Sequence, residues 1–151
     1  MILEFSDWLL FVDLDSTRAY CAEEAANHCT CGYCRNFYGV IDRAYPDLRY
    51  FLSRFGVDIE APEALIPITD ELYQASYVVQ GKILRVGSEP IWIHDIAVTL
   101  ENDEEPDWFV INLGIMKLPW ILPQSPDTVP KPYGLSDLLS DIKHKETPQQ
   151  A

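Results

Sequence analysis

The chain has 151 residues, with 24 Asp and Glu against 11 Lys and Arg for a net charge of −13, and a pI near 4.4. That length suits one domain able to bury a core without covalent staples, and eight Tyr, six Phe and four Trp supply its bulk. So acidic a surface repels phosphate backbones and anionic lipid, which speaks against nucleic acid and membrane as partners; it leaves a basic partner protein or, the plainer reading, a charge that simply keeps the chain soluble.

Met1 to Trp8 holds no basic stretch, and acids interrupt its apolar residues, so no export signal is expected. No run approaches the ~20 apolar residues of a membrane span. The expected compartment is a reducing cytoplasm, where cysteines stay thiols.

Trp8-Leu9-Leu10-Phe11-Val12-Asp13-Leu14-Asp15 ends an apolar run and reads as a buried strand of four to seven residues. Ala22 to Ala26 suits one or two helical turns. From Cys31 to Ala44 the apolar residues Cys34, Phe37, Tyr38 and Ile41, followed by Tyr45, recur every three or four positions and predict a helix. Asp47 to Phe55 resumes that period through Leu48, Phe51, Leu52 and Phe55, with Pro46 in its first turn and Gly56 as its C-terminal cap. Ile59 to Ile68, bracketed by Pro62 and Pro67, reads as a connection.

The second half changes to β-branched and aromatic residues in rough alternation. Three strands are predicted, over 72–86, 91–100 and 108–118, with a turn at Gly87 to Pro90 and an acidic loop from Glu101 to Asp107. No long crossover separates them, so they should pair antiparallel. Pro123 to Gly134 reads as extended, Leu135 to Ile142 as a short helix, and 143–151 as a polar tail following a single domain over 1–142. The expected fold is α+β: an N-terminal strand and a cysteine-bearing helical pair packed on an antiparallel sheet of three to five strands.

All four cysteines fall within fourteen residues: Cys21, Cys29, Cys31 and Cys34. Zinc takes four thiolate or imidazole ligands at tetrahedral corners, and Cys31-x-x-Cys34 has the spacing at which two ligands share one knuckle. Gly32 lets backbone amides turn toward sulfur. Cys29 supplies a third ligand in this reading, and Cys21 or His28 a fourth. Two other readings stand beside it. The thiols can be small core residues, or Cys31-Gly32-Tyr33-Cys34 can be a redox dithiol opening a helix, although no βαβ unit precedes it.

Leu10-Phe11-Val12-Asp13-Leu14-Asp15-Ser16-Thr17 resembles the first motif of haloacid-dehalogenase-type phosphatases, an apolar strand ending in DxDxT. The resemblance implies a Mg²⁺-dependent enzyme with Asp13 as nucleophile, Asp15 as acid/base and Thr17 as phosphate contact. It also implies a parallel sheet with alternating helices, which residues 68–118 do not predict, and its later acids would fall to Asp137 and Asp141.

Elsewhere the signals are plainer. His94 beside Asp95 reads as a polar-face residue, no serine sits in a G-x-S-x-G turn, and the seven glycines form no phosphate-cradling loop. Glu101 to Asp107 lacks EF-hand spacing. Tyr73, Tyr77, Trp92, Trp108 and Trp120 read as packing residues.

Two further stretches share one resemblance. Cys29-x-Cys31-x-x-Cys34-Arg35-Asn36-Phe37, with Phe55-Gly56-Val57-Asp58 after it, is similar to the N-terminal part of a family of small uncharacterised bacterial proteins, and Leu118-Pro119-Trp120-Ile121-Leu122 to that family's end. No activity attaches to the family, so the resemblance supplies no catalytic residue. It implies a non-enzymatic accessory or interaction protein over a phosphatase.

Overall fold

A computed structural model describes residues 1–104 and 107–129. The predicted helix at 135–142, the tail at 143–151, and Asp137 and Asp141 lie outside the described residues. In chain order come β1 (Ile2–Phe5), β2 (Trp8–Val12), α1 (Leu14–Ala26), α2 (Gly32–Ala44), α3 (Pro46–Ser53), β3 (Ala64–Pro67), β4 (Leu72–Arg85), β5 (Ile91–Ile93), β6 (Ile96–Asn102) and β7 (Trp108–Lys117). The strands form one seven-stranded sheet in the order β1-β2-β4-β7-β6-β5, with β3 paired to β4 off that path. Every pairing is antiparallel. The α+β class is as read from sequence, and the sheet is wider than three to five strands.

The additional strands come from hairpin turns that carry no glycine. Phe5 pairs with Trp8 across Ser6 and Asp7, and Ile93 pairs with Ile96 across His94 and Asp95. Ser6 and His94 adopt φ of 55° and 54°, the left-handed conformation that two-residue hairpins demand and that short polar residues tolerate. The predicted strand over 91–100 is therefore two strands. β3 escaped the sequence reading because Pro67 ends it, and a proline is acceptable there because β3 pairs on one edge only.

β4 is the spine. Along one edge it pairs with β7 from Leu72 to Gln80. On the other, β3 covers Tyr73 to Ser76 and β2 covers Gly81 to Arg85. The start of α1 seals the gap between them: the Asp13 amide donates to the Gln80 carbonyl at 2.9 Å, and the Gln80 amide donates to the Thr17 hydroxyl at 3.0 Å. Gly81 is obligatory at this crossing, since a Cβ there would lie 2.1 Å from the Phe11 carbonyl oxygen.

The helices α2 and α3 pack on the inward face of the sheet. Phe37 meets Tyr73 at 6.1 Å between ring centroids and Phe55 meets Phe109 at 6.3 Å, within a core that includes Leu10, Ile41, Leu48, Leu52, Tyr77, Ile96 and Ile111. Each such side chain contributes roughly 1.5–3 kcal/mol by leaving water. The predicted C-terminal cap is present: Gly56 has φ 79°, and the Val57 amide returns to the Leu52 carbonyl at 3.1 Å.

Leu118 to Val129 then runs back over α2. Asn36, fully buried, donates through Nδ2 to the Pro119 carbonyl at 3.0 Å and to the Tyr73 hydroxyl at 3.2 Å. Its Oδ1 accepts from the Ile121 amide at 2.8 Å. Tyr33 and Trp120 meet edge to face at 5.3 Å, the Tyr33 hydroxyl reaches the Pro126 carbonyl at 3.5 Å, and Val129 lies against Gly32. The two stretches that carried the bacterial-family resemblance, around Asn36 and around Trp120, are thus in contact.

Candidate metal centre

The site begins with a helix start. Cys31 is the N-cap of α2, in extended conformation, and its sulfur accepts from the Cys34 amide at 3.5 Å. The Cys31 amide in turn donates to the Cys29 sulfur at 3.4 Å. Amides aimed at sulfur stabilise developing negative charge there, as does the positive end of the helix. Cys34 sits one turn into the helix and is buried, Cys31 is half-buried, and Cys29 is exposed.

The three Sγ atoms lie within 4.8 Å of one another. Zinc–sulfur bonds of about 2.3 Å place tetrahedral ligands ~3.5–4 Å apart, so the spacing of this set is compatible with a metal ion. No disulfide joins any of the cysteines. Burial raises the Cys29 thiol, but hydrogen bonds from the Cys31 backbone and from the Cys31 and Cys34 side chains outweigh it and leave Cys29 below the usual thiol value. Burial raises Cys31, with the neighbouring Cys29 adding to it. Cys34 stands well above the usual value through burial and the adjoining Cys29 and Cys31.

Of the four predicted ligands, the fold brings three together. Cys21 is buried on α1 and stands outside the cluster. Burial lifts its thiol, while a backbone amide at Asp58 pulls it the other way. The reason is the placement of α1, which closes the edge of β4 and turns Cys21 toward the chain after α3.

Beside the thiols opens a cleft of about 270 Å³, with Glu24, His28, Cys29, Cys34, Tyr38 and Glu63 among its walls. The His28 ring stacks on Tyr38 with centroids 4.4 Å apart. Burial, reinforced by Cys34, Cys29 and Cys31, holds the Tyr38 hydroxyl well above its ordinary value. The helical period marks Tyr38 only as a core position. The signal was there, because Tyr38 lies four residues after Cys34 and so shares its helix face.

The DxDxT stretch folds differently. Asp13 is the N-cap of α1, its carboxylate accepting from the Ser16 amide at 3.0 Å, and those Ser16 hydrogen bonds, chiefly the backbone one, hold it below the usual carboxylate value. Thr17 is fully buried and, besides accepting from Gln80, donates to the Asp13 carbonyl at 2.8 Å. Asp15 has a 99% exposed side chain lying 3.8 Å from Arg18. A shallow cleft of about 230 Å³ beside Asp13 counts Gln80, Lys82 and Asp107 among its walls, but not Asp15. The sheet around it is antiparallel, where the phosphatase resemblance implies a parallel one. His94 pairs with Asp47 at 2.7 Å, a link from the β5–β6 turn to the start of α3.

Among the described residues no helix is long and apolar enough to cross a membrane. No protein-family model, no curated protein and no solved structure matches this chain.

Proposed function

We propose that this is a non-enzymatic accessory protein that binds another protein and is stiffened by a structural zinc ion held by Cys29, Cys31 and Cys34. The convergence of three sulfurs within 4.8 Å at the start of α2 carries the reading. Thiolates select soft or borderline ions, and zinc is the redox-inert member of that group that holds chain segments together. A reducing cytosol would keep the sulfurs available as ligands. The acidic chain and the exposed apolar residues Ile2, Phe11, Leu84 and Val86 support a protein rather than a nucleic-acid or lipid partner.

Elemental analysis of protein purified without added metal tests the reading: about one zinc per chain is expected, falling to none in the Cys29→Ser, Cys31→Ser, Cys34→Ser triple variant. Metal-free protein, or turnover of a phosphate ester with Mg²⁺ that Asp13→Asn abolishes, would overturn it.

A further inference from the structure

We infer that His28 supplies the fourth ligand, which makes the site Cys₃His rather than the four-cysteine set. The inference rests on the zinc reading above and goes past it by naming the residue that completes the coordination.

Three thiolates leave one tetrahedral corner to fill, and a closed structural site takes that ligand from the protein. Four side chains come into question. Cys21 is buried on α1, beside the Asp58 backbone and outside the thiol cluster, and bringing it in would pull α1 out of the edge of β4. The Glu63 carboxylate already accepts from the Tyr20 hydroxyl at 3.1 Å. Glu24 is a hard oxygen donor on the last full turn of α1, a poorer match for an ion on three sulfurs. His28 also falls outside the 4.8 Å group, but it sits on no helix that would have to move to bring it in. It directly precedes Cys29, lies after the end of α1 in a segment without regular structure, and lines the same cleft as Cys29 and Cys34.

Its surroundings also suit a ligand. The ring stacks flat on Tyr38 at 4.4 Å, and Tyr38 rises from the helix face that carries Cys34. That stack lays the ring along the wall of the cleft that Cys29 and Cys34 also line. An aromatic wall that fixes ring orientation does for a ligating imidazole what outer hydrogen bonds do in other metal sites. Because His28 is exposed, replacing it should leave the core intact.

The test uses the full chain and cobalt(II) or zinc as the probe. Wild-type protein should bind one cobalt per chain with intense thiolate charge-transfer absorption and the visible bands of a tetrahedral ion. Zinc should move the ring-nitrogen resonances of His28 and leave those of His94 in place. His28→Ala should weaken zinc binding more than about tenfold and shift the cobalt bands, while His28→Cys should recover tight binding with a spectrum richer in sulfur. Cys21→Ser should match wild type. A His28→Ala protein with unchanged affinity and spectrum overturns the assignment while leaving the three-thiol site standing. Wild-type protein that takes up neither metal removes both.

Discussion

Two helix starts in this molecule each gather chemically reactive side chains, and they differ in what their polar atoms do. At Asp13 to Thr17 the side chains turn into the protein: Asp13 caps α1, and Thr17 closes the open edge of β4 through Gln80. At Cys29 to Cys34 the side chains turn toward one another, and what they receive from the chain is two long amide contacts to sulfur. The first turn is chemically complete once folded. The second gathers more soft donors than the fold itself uses. A motif of reactive residues becomes a site when its side chains converge and stay uncommitted.

That contrast breaks most decisively at the thiols. A chelator added to purified protein should lower the unfolding free energy by about 4 kcal/mol if free zinc had stood at a thousand times its Kd. The measurement is the denaturation midpoint with and without chelator, and identical midpoints would dissolve the distinction between the two turns. Next comes Asn36→Leu, which removes three hydrogen bonds at a fully buried position and leaves Pro119 and Ile121 unpaired. A loss of roughly 3–4 kcal/mol is expected, and urea denaturation reads it.

Alkaline pH gives a somewhat smaller effect. Burial pushes Tyr73 up to about 12 from an ordinary 10, although Asn36 pulls against it. A phenol raised by folding stabilises the protein fully below pH 10, and that stability disappears as pH climbs toward 12. Tyr77, whose hydroxyl donates to the Ile59 carbonyl at 2.6 Å, is raised by burial in the same direction. Stability should therefore decline above pH 10, and Tyr73→Phe should flatten the decline. A steep fall that persists unchanged in the Phe variant would assign it elsewhere. Smallest are the changes in the capping turn. Thr17→Val should cost about 2 kcal/mol by stranding the Gln80 amide, and Asp13→Ala about 1 kcal/mol as a lost cap. Neither should alter zinc content; a Thr17 or Asp13 variant that lost its metal would show the two turns to be one unit.

How much of this was legible in the sequence depended on how far apart the interacting residues lie. The helices α2 and α3 and the strands β4 and β7 were readable, because their apolar residues recur at the period of the element they form. The helix α1 was glimpsed only at Ala22 to Ala26: it buries just Thr17 and Cys21, so it displays no apolar stripe. The hairpins at Ser6 and His94 were missed because neither turn contains the Gly or Asn that usually marks positive φ. The thiol triad was visible because its members are neighbours in sequence. Cys21 is close to them in sequence alone, and the wedge position of α1 sends it elsewhere. The Asn36 bond to Pro119 spans 83 residues, a distance over which neither spacing nor periodicity carries information.

The return segment from Leu118 to Val129 has a mechanical consequence. It crosses α2 from Asn36 toward the opening turn, so Val129 on Gly32 sits one residue from Cys31. Tension applied through the chain beyond Val129 would reach the sulfur cluster before it reached the sheet, and peeling that strap away would unclamp the first turn of α2. On the proposed metal site, the grip on an ion and the seating of the strap would then rise and fall together, each acting as a lock on the other.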